Sequence, residues 1–364
     1  MIFLKGMRKI IFQLLLILVI TCFVLPLVTF CENQTSAKQL LFGMTVRDAT
    51  APFYQAMIRT AEEKAEELGV KLVVMDSHDD VLAQLEHLDN FITMGIDGLV
   101  FGGTVDTVSI IPGIKELNEK GIPIMAVDNS PEGGRVELWI SFDIVDSSRR
   151  AAEAFVDLLK EKYGGEVPKG VVIEITGALG DAFTNECYEG FHSVIDNYPQ
   201  LTVVQGEGKW NNIDSFERTS DLLTRYGDDV VGIYIHTPDI MGPGVVAAVE
   251  QAGYNPKDFC MTGICMGPEG RDLIKQGKIA AIVAQPIADG AELAVQYLYD
   301  LCQGEEIPKI GDTIVKEGAL WSPATVVENP RCEGGFMKLR APIVPLEVSP
   351  DDPRLWENKI TELQ

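Results

Sequence analysis

Polar and aromatic side chains follow many of the short apolar runs in this sequence, where they could contact a bound molecule. Their carboxylates, amides and guanidinium supply acceptors and donors for vicinal hydroxyls, and the flat aromatic rings offer faces to the C–H side of a sugar ring. Taken singly, each Asp or Asn fits a turn or a helix cap, and Phe53 fits a core aromatic. As a set they favour a site for a neutral polyhydroxylated ligand. The candidate residues are Arg47, Asp48, Phe53, Tyr54, Asp128, Asn129, Asp143, Asn185, Trp210, Thr237, Asp239 and Gln285.

The elements that would position these residues follow a regular rhythm from Leu40 to Ala284. Short apolar runs alternate with helix-period segments such as Pro52–Leu68. Repeated β-α-β units of this kind build parallel sheets covered by helices, and polar groups at the carboxyl ends of the strands line a ligand crevice. We therefore expect an α/β fold with the site at the strand ends. The apolar runs are Leu40–Val46, Lys71–Met75, Gly98–Phe101, Ile122–Val127, Leu138–Ser141, Gly170–Ile175, Val231–Ile235, Cys260–Ile264 and Ala280–Ala284.

The sequence offers little support for catalysis. It has four histidines, no Gly-x-Ser-x-Gly elbow and no Walker loop, and Gly177–Gly180 and Gly206–Gly208 are only fragments of dinucleotide patterns. The cluster Asp76–Asp80 could suggest a metal site, but Asp and Ser ahead of a helix are ordinary capping residues. We predict a protein that is not an enzyme and uses no metal or cofactor. An exported enzyme is the rival hypothesis, and it predicts turnover of whatever binds.

The chain is strongly acidic. Its 364 residues carry a formal net charge of −24 at pH 7, spread along the sequence rather than collected in a tail. This balance argues against nucleic acid and against an anionic membrane surface as partners. The length is enough for two α/β domains.

The N-terminus has the features of an export signal. Basic residues precede an almost wholly apolar run from Ile10 to Phe30, and the sequence then turns polar. A single membrane anchor is the alternative, because the run is about as long as a span needs. We predict a signal peptide over residues 1–30 and a polar tether over residues 31–39.

Cysteine usage leaves two questions open. Cys31 lies at the end of the apolar run, as the lipid-accepting cysteine of bacterial lipoproteins does, but Phe30 stands where a small residue is expected. Cys31 is therefore expected either to carry a lipid or to remain unmodified, and the sequence favours neither alternative. The later cysteines match no zinc pattern and are expected to be ordinary thiols, with a bridge between Cys302 and Cys332 as the alternative. These later cysteines are Cys187, Cys260, Cys265, Cys302 and Cys332.

The rhythm of the chain predicts two lobes. Residues 40–142 plus about 286–312 are expected to form the N-terminal lobe, and residues 143–285 plus about 313–345 the C-terminal lobe. The stretch Trp321–Gln364 is rich in Pro and lacks a clear period, so it is expected to be irregular, with a short helix near Trp356. Residues 346–364 are expected to be a C-terminal extension.

A family resemblance appears in the order of several motifs. The sequence resembles the ribose-type periplasmic sugar-binding proteins, the type I solute-binding proteins of ABC importers, over about residues 40–310. The resemblance implies two doubly wound parallel-sheet lobes joined by a three-stranded hinge. The motifs that carry it are Pro52-Phe53-Tyr54, Leu72–Ser77, Gly95–Val100, Gly121–Ile124, Val127-Asp128, Glu189-Gly190-Phe191, Gly277–Ala281 and Ala284-Gln285.

The resemblance also implies roles for single residues. Phe53 and Tyr54 resemble the aromatics of the first lobe that pack on the sugar ring, and Trp210 falls where the second lobe supplies its stacking aromatic. Asp128 resembles the carboxylate that binds ring hydroxyls. Asp143 lies at the first crossover between the lobes. Gln285 lies at a later crossover, where the family has an amide side chain that contacts the ligand.

Three departures from the family pattern bear on the ligand. Asn129 and Asn185 stand where ribose binders have Arg, and Cys265 stands where they have Asp. Losing two guanidinium groups and a carboxylate leaves a more neutral pocket, so a sugar other than D-ribose, a polyol or a sugar-like signal is expected.

The predicted function is that of a monomeric extracytoplasmic protein that captures a carbohydrate or polyol by closing its hinge. The resemblance implies an ABC-transporter membrane permease as its partner and a location in the periplasm or on the outer face of the cytoplasmic membrane. The alternative is a receptor for a sugar-like or furanone quorum signal that feeds a sensor or chemoreceptor. Binding without stimulated uptake would favour the alternative.

Overall fold

A computed structural model describes residues 38–361 of the chain, so residues 1–37 and 362–364 lie outside the described part. The predicted signal peptide, most of the tether and Cys31 fall outside it. The chain divides into a unit of Met1–Leu40 and a unit of Leu41–Gln364, and the fold that follows is that of the second unit. No helix within residues 38–361 is both long enough and apolar enough to cross a membrane.

Strands and helices alternate along this unit as the sequence predicts. The strands are β1 Leu41–Val46, β2 Lys71–Asp76, β3 Gly98–Gly102, β4 Ile124–Val127, β5 Arg135–Phe142, β6 Gly170–Thr176, β7 Leu201–Glu207, β8 Val230–Ile235, β9 Cys260–Ile264, β10 Ala281–Val283, β11 Thr313–Ile314, β12 Ala324–Glu328, β13 Glu333–Leu339 and β14 Ile343–Val344. The helices are α1 Pro52–Glu67, α2 Val81–Met94, α3 Ile111–Glu119, α4 Ile144–Lys162, α5 Ala182–Ile195, α6 Asn212–Tyr226, α7 Gly242–Gln251, α8 Pro268–Lys275, α9 Ile287–Cys302 and α10 Trp356–Thr361. Most of the central strands are buried along their whole length, which is why they appear as continuous apolar runs.

Two sheets form the centres of two lobes. The first sheet has the order β11-β12-β13-β5-β4-β3-β1-β2, and the second has the order β14-β10-β9-β8-β6-β7. The strands β1 to β5 pair in parallel, as do β6 to β10. Helix α9 returns to the first lobe and packs on α1, β3, β4 and β5.

The chain crosses between the two sheets three times. It passes from β5 into α4, from β10 into α9 and from β13 into β14. The fold is therefore α/β, with two doubly wound parallel-sheet lobes joined by a three-stranded hinge, and this confirms the fold class expected from the sequence.

The assignment of residues 313–345 to the C-terminal lobe is wrong for residues 313–339 and right for β14. Strands β11, β12 and β13 extend the first sheet, and only β14 joins the second. β13 pairs in parallel with β5, with Leu339 opposite Phe142. The alternation of apolar and polar residues along a short strand indicates which of its faces is buried. It does not indicate which strand lies beside it. The stretch from Trp321 is also more regular than expected, although its last helix does begin at Trp356.

The alternative of a disulfide bridge between Cys302 and Cys332 is also excluded. Both are free thiols, as are the other three described cysteines. Cys302 Sγ lies 3.6 Å from the carbonyl oxygen of Asp97, whereas Cys332 Sγ lies 3.4 Å from Ser130 Oγ. The two thiols therefore have different neighbours.

Candidate ligand-binding site

The carboxyl edge of the first sheet brings two of the predicted residues together. Val46 ends β1 and Val127 ends β4, and both pair with Gly102 of β3. The residues that follow them, Arg47 and Asp128, therefore emerge at the same level of the sheet. Ligand crevices of parallel sheets form at this edge.

Asp128 lies at the centre of this part of the site. Its Oδ2 accepts a hydrogen bond of 3.4 Å from the hydroxyl of Tyr54. Gly103 leaves room for the carboxylate, because a Cβ there would lie 2.9 Å from Oδ2. Burial raises the pKa of Asp128 to about 6, although Arg47, Tyr54 and Arg331 act in the opposite direction. The carboxyl therefore changes its charge in mildly acidic solution.

Arg47 and Phe53 complete the first-lobe side. The Nε of Arg47 donates to Asp79 Oδ1 at 2.9 Å. Burial alone would lower the pKa of Arg47, but Tyr54, Asp79 and Asp128 outweigh it and raise that pKa. The ring of Phe53 lies edge-on to that of Tyr54, with centroids 5.0 Å apart. One aromatic pair and one cation thus surround a carboxylate.

Trp210 is the main aromatic of the second-lobe side. It is half-buried and lies edge-on to Phe183, with centroids 5.7 Å apart. The ring packs directly over Gly177, the residue after β6, where a Cβ would lie 1.9 Å from the ring. Trp210 can therefore reach its position only because residue 177 has no side chain.

Several residues after strand ends have left-handed backbone angles although they are not glycine. Asp128 has φ 67°, Trp210 has φ 58° and Cys265 has φ 64°. This conformation is costly for residues with a side chain, and it clusters at functional sites. Asp128 and Trp210 are among the ligand contacts expected from the sequence, and Cys265 stands where the family pattern has Asp.

Buried polar atoms without partners give the most direct indication of a site. Buried polar groups are normally hydrogen-bonded, so each exception needs an explanation, and a site for a polar ligand is one. Asp239 combines such an atom with a pKa that burial raises to about 7. Among residues 38–361, the buried atoms without a hydrogen-bond partner include Thr184 Oγ1, Thr237 Oγ1, Asp239 Oδ1 and Gln285 Oε1, and also Arg331 Nη1 in the turn before β13.

Other predicted residues have local partners or lie apart. Asp48 Oδ1 accepts from the backbone and hydroxyl of Thr50, so it shapes a turn. Asp143 caps α4 and its Oδ2 accepts from Lys338 Nζ at 2.6 Å, beside a hinge cavity of about 260 Å³. Asn185 is exposed, and Asn129 is partly exposed. Their roles as ligand contacts remain predictions.

Two polar residues near the candidate site were not among the candidate residues chosen from the sequence. Thr184 lies in the first turn of α5, next to Asn185, which was the candidate chosen from that run. Arg331 lies in the turn between β12 and β13, in a stretch without a clear period, and no local pattern singled it out. In the part of the chain that is described, no group of three or more His, Cys, Asp or Glu side chains is arranged to hold a metal ion.

The fold and the edge residues define a two-lobed α/β binding protein with a hinge. The chain belongs to the periplasmic binding protein family, because the model of the periplasmic binding protein domain matches residues 42–306. This confirms the resemblance seen in the sequence at the level of the family.

Named relatives and solved structures agree with this membership. The ribose import binding protein of Bacillus subtilis is 27% identical over 283 residues, which cover 76% of this chain and 87% of the relative. The D-apiose import binding protein of Actinobacillus succinogenes is 26% identical, over 72% of this chain and 84% of the relative. The structure of an ABC transporter periplasmic solute binding protein from the same organism, with bound D-allose, superposes with a TM-score of 0.67 at 20% identity, over 74% of this chain and 94% of that one. At that identity, the superposition shows the fold alone.

Proposed function

We propose that this chain is an extracytoplasmic solute-binding protein that captures a neutral sugar or polyol and delivers it to an ABC-transporter permease. The carrying observation is the set of buried, unpartnered polar atoms at the strand ends, including Thr237 Oγ1, Asp239 Oδ1 and Gln285 Oε1. Hydroxyl groups can donate to and accept from such atoms, whereas an apolar ligand would leave them unpaired. The curated relatives that import sugars support the same ligand class.

Binding proceeds by hinge closure in this proposal. Phe53, Tyr54 and Asp128 belong to one lobe, and Trp210 and Thr237 belong to the other. A ligand that touches both groups binds the closed state better than the open state and shifts the population toward closure. Aromatic stacking and several hydrogen bonds fit micromolar affinity, about −8 kcal/mol.

The N-terminal segment carries the rest of the proposal. Residues 1–30 direct export, and Cys31 is either lipidated or the first residue of a free mature chain. The mature protein is a monomer without catalytic activity. Mass spectrometry of the protein from its native envelope tests this part, because a lipid on Cys31 adds a defined mass and an intact signal would retain residues 1–30.

The binding proposal is tested by thermal melting of residues 32–364 with pentoses, hexoses, polyols and furanone signals. A ligand that binds only the folded state, at about 100 times its Kd, stabilises it by roughly 2.7 kcal/mol and raises Tm clearly. We expect a shift with one class of sugar or polyol that is lost in Trp210→Ala and in Asp128→Ala. A shift that survives both substitutions would place the ligand elsewhere, and no shift with any sugar or polyol would refute the proposed ligand class.

Affinity for the sugar found in this screen should depend on pH. Asp128, whose pKa is about 6, accepts hydrogen bonds through both oxygens only when it is ionised. Kd is therefore expected to increase as the pH falls from 8 to 5, with the steepest change near pH 6, in calorimetric titrations. Asp128→Asn should bind more weakly and lose the change in Kd near pH 6. The part of the pH dependence that is due to Asp239, whose pKa is about 7, should remain. An unchanged profile in Asp128→Asn would contradict this assignment.

A further inference from the structure

Arg331 is a buried cation whose bonding capacity is only half used. Its side chain is 9% exposed, and its Nη2 donates to Glu186 Oε1 at 2.8 Å. The guanidinium carbon lies 5.0 Å from the centroid of the Trp139 ring. The other terminal nitrogen, Nη1, is buried and finds no partner among the described side chains or backbone. A buried donor left unpaired costs about 1–3 kcal/mol, so a group that satisfies it gains free energy.

The turn that carries Arg331 is anchored to the candidate site. The backbone N–H of Arg331 donates to Asn329 Oδ1 at 2.9 Å, and Asn329 Nδ2 donates to Ser130 Oγ at 3.1 Å. Ser130 is two residues beyond Asp128. Trp139, whose ring lies 5.0 Å from the guanidinium, donates from Nε1 to the backbone carbonyl oxygen of Asp128 at 2.8 Å. Arg331 is therefore held by a structured turn, as a binding side chain must be.

Arg331 also joins the two lobes. Its turn belongs to the first sheet, through β12 and β13, whereas Glu186 lies in α5, which packs with α4 beside the second sheet. An arginine can donate from two edges at once because its guanidinium is a planar fork with several N–H groups. One edge is occupied by Glu186, and Nη1 on the other edge has no partner among the described residues.

The charges around Arg331 favour an uncharged ligand. Glu186 already pairs with the guanidinium, and Asp128 lies near it. The second cation of the site, Arg47, is paired with Asp79 at 2.9 Å. Both described arginines of the candidate site are therefore already paired with a carboxylate, which disfavours a ligand carboxylate or phosphate. A hydroxyl oxygen can accept from Nη1 while its proton, or that of a neighbouring hydroxyl, is donated to Asp128.

We infer that Arg331 is a specificity-determining ligand contact, which donates from Nη1 to one hydroxyl of a sugar or polyol while Asp128 accepts from the adjacent hydroxyl. This inference rests on the proposed function and names a residue that reads one vicinal diol.

The test compares wild type, Arg331→Met and Arg331→Lys by calorimetric titration with each pentose, hexose or polyol that shifts melting, and with the monodeoxy forms of that compound. Arg331→Met should weaken binding of the parent compound by about tenfold to 100-fold, as expected for a hydrogen bond from a charged donor. One monodeoxy form, which lacks the contacted hydroxyl, should bind wild type and Arg331→Met equally. Arg331→Lys cannot serve both Glu186 and the ligand in a fork, so it should lose about tenfold. Thermal melting without sugar checks that each variant is folded. If Arg331→Met is not folded, the comparison is made with Arg331→Lys instead.

The outcomes separate this inference from the proposed function. Arg218→Met is the matched control, since Arg218 pairs with Asp221 on the exposed surface of α6 and should bind like wild type. Equal affinity of wild type and Arg331→Met for the parent compound would overturn the role of Arg331 and leave the proposed function intact. The same loss with the parent compound and with every monodeoxy form would also overturn it, because Arg331 would then only support the fold. Failure of wild type to bind any sugar or polyol would overturn both.

Discussion

Gly177→Ala is expected to weaken binding of the sugar found by melting about 100-fold, or roughly 2.7 kcal/mol. The added Cβ would lie 1.9 Å from the Trp210 ring and 2.4 Å from Thr184 Oγ1. Real Cβ atoms do not approach other atoms so closely, so the ring must leave its place or the loop after β6 must move. Either change removes the stacking face that the second lobe presents. Calorimetric titration of the variant measures the loss.

The same substitution should also lower the free energy of unfolding. Overpacking of an ordered site costs about 1–3 kcal/mol, because the side chains around it are forced away from their preferred rotamers. Gly180→Ala is the matched control in the same loop. Gly180 has φ +86° and no atom within 4 Å of an added Cβ, so this variant adds backbone strain without a collision. We expect Gly180→Ala to melt earlier and to bind normally, and normal binding by Gly177→Ala would contradict the placement of Trp210 at the site.

Glu174→Gln is expected to lower the free energy of unfolding by about 1–3 kcal/mol, because the amide replaces one buried acceptor by a donor and leaves buried donors unpaired. Glu174 is fully buried in β6 and binds two imidazoles: His236 Nε2 lies 2.9 Å from Oε1, and His192 Nε2 lies 3.1 Å from Oε2. Gln205 Nε2 donates to the same Oε2 at 2.8 Å. The glutamate thus ties β6 to α5, to β7 and to the residue that follows β8.

The pH dependence of stability follows from the two shifted groups. Burial alone would raise the pKa of Glu174, but hydrogen bonds from His192 and His236 outweigh it and lower that pKa to about 2. The resulting stabilisation is complete above about pH 4.5 and is lost as the pH falls toward 2. Burial would lower the pKa of His192, but Glu174 and Asp196 outweigh it and raise that pKa. Its contribution is complete below about pH 6.5 and is lost as the pH rises through the raised value.

Denaturant unfolding between pH 3 and 8 measures both effects. Wild type should be most stable between about pH 4.5 and 6.5, where both contributions are present. In Glu174→Gln, stability should no longer fall toward acidic pH as it does in wild type. Its fall toward alkaline pH should be shallower, because Asp196 is then the remaining acidic partner of His192. Glu153→Gln is the control, since Glu153 pairs with Arg149 on the exposed surface of α4, and it should follow the wild-type curve. A Glu174→Gln variant as stable as wild type at pH 6 would contradict the role of this buried hydrogen-bond network.

The parts of the site that could be predicted from the sequence are those set by local pattern. Asp128 and Trp210 were found because each follows an apolar run, and a parallel sheet gathers such residues at one edge. The same rule selected Asp48 and Asp143, which the structure shows to be a turn residue and a helix cap. Ser, Asp and Asn at strand ends serve caps and turns as readily as ligands, so their type and position do not separate the two roles.

By itself, the sequence determined the order of strands and helices, the two-lobed α/β class and the aromatic and acidic residues at the strand ends. These features depend on periodicity, which is a property of neighbouring residues. The tertiary structure alone decided that β13 lies beside β5 and that Arg331 meets Glu186, 145 positions away. It also decided that Glu174 lies between two histidines, one of them 62 positions away. Contacts at such separations arise from the packing of whole elements, and no local pattern of residues records them.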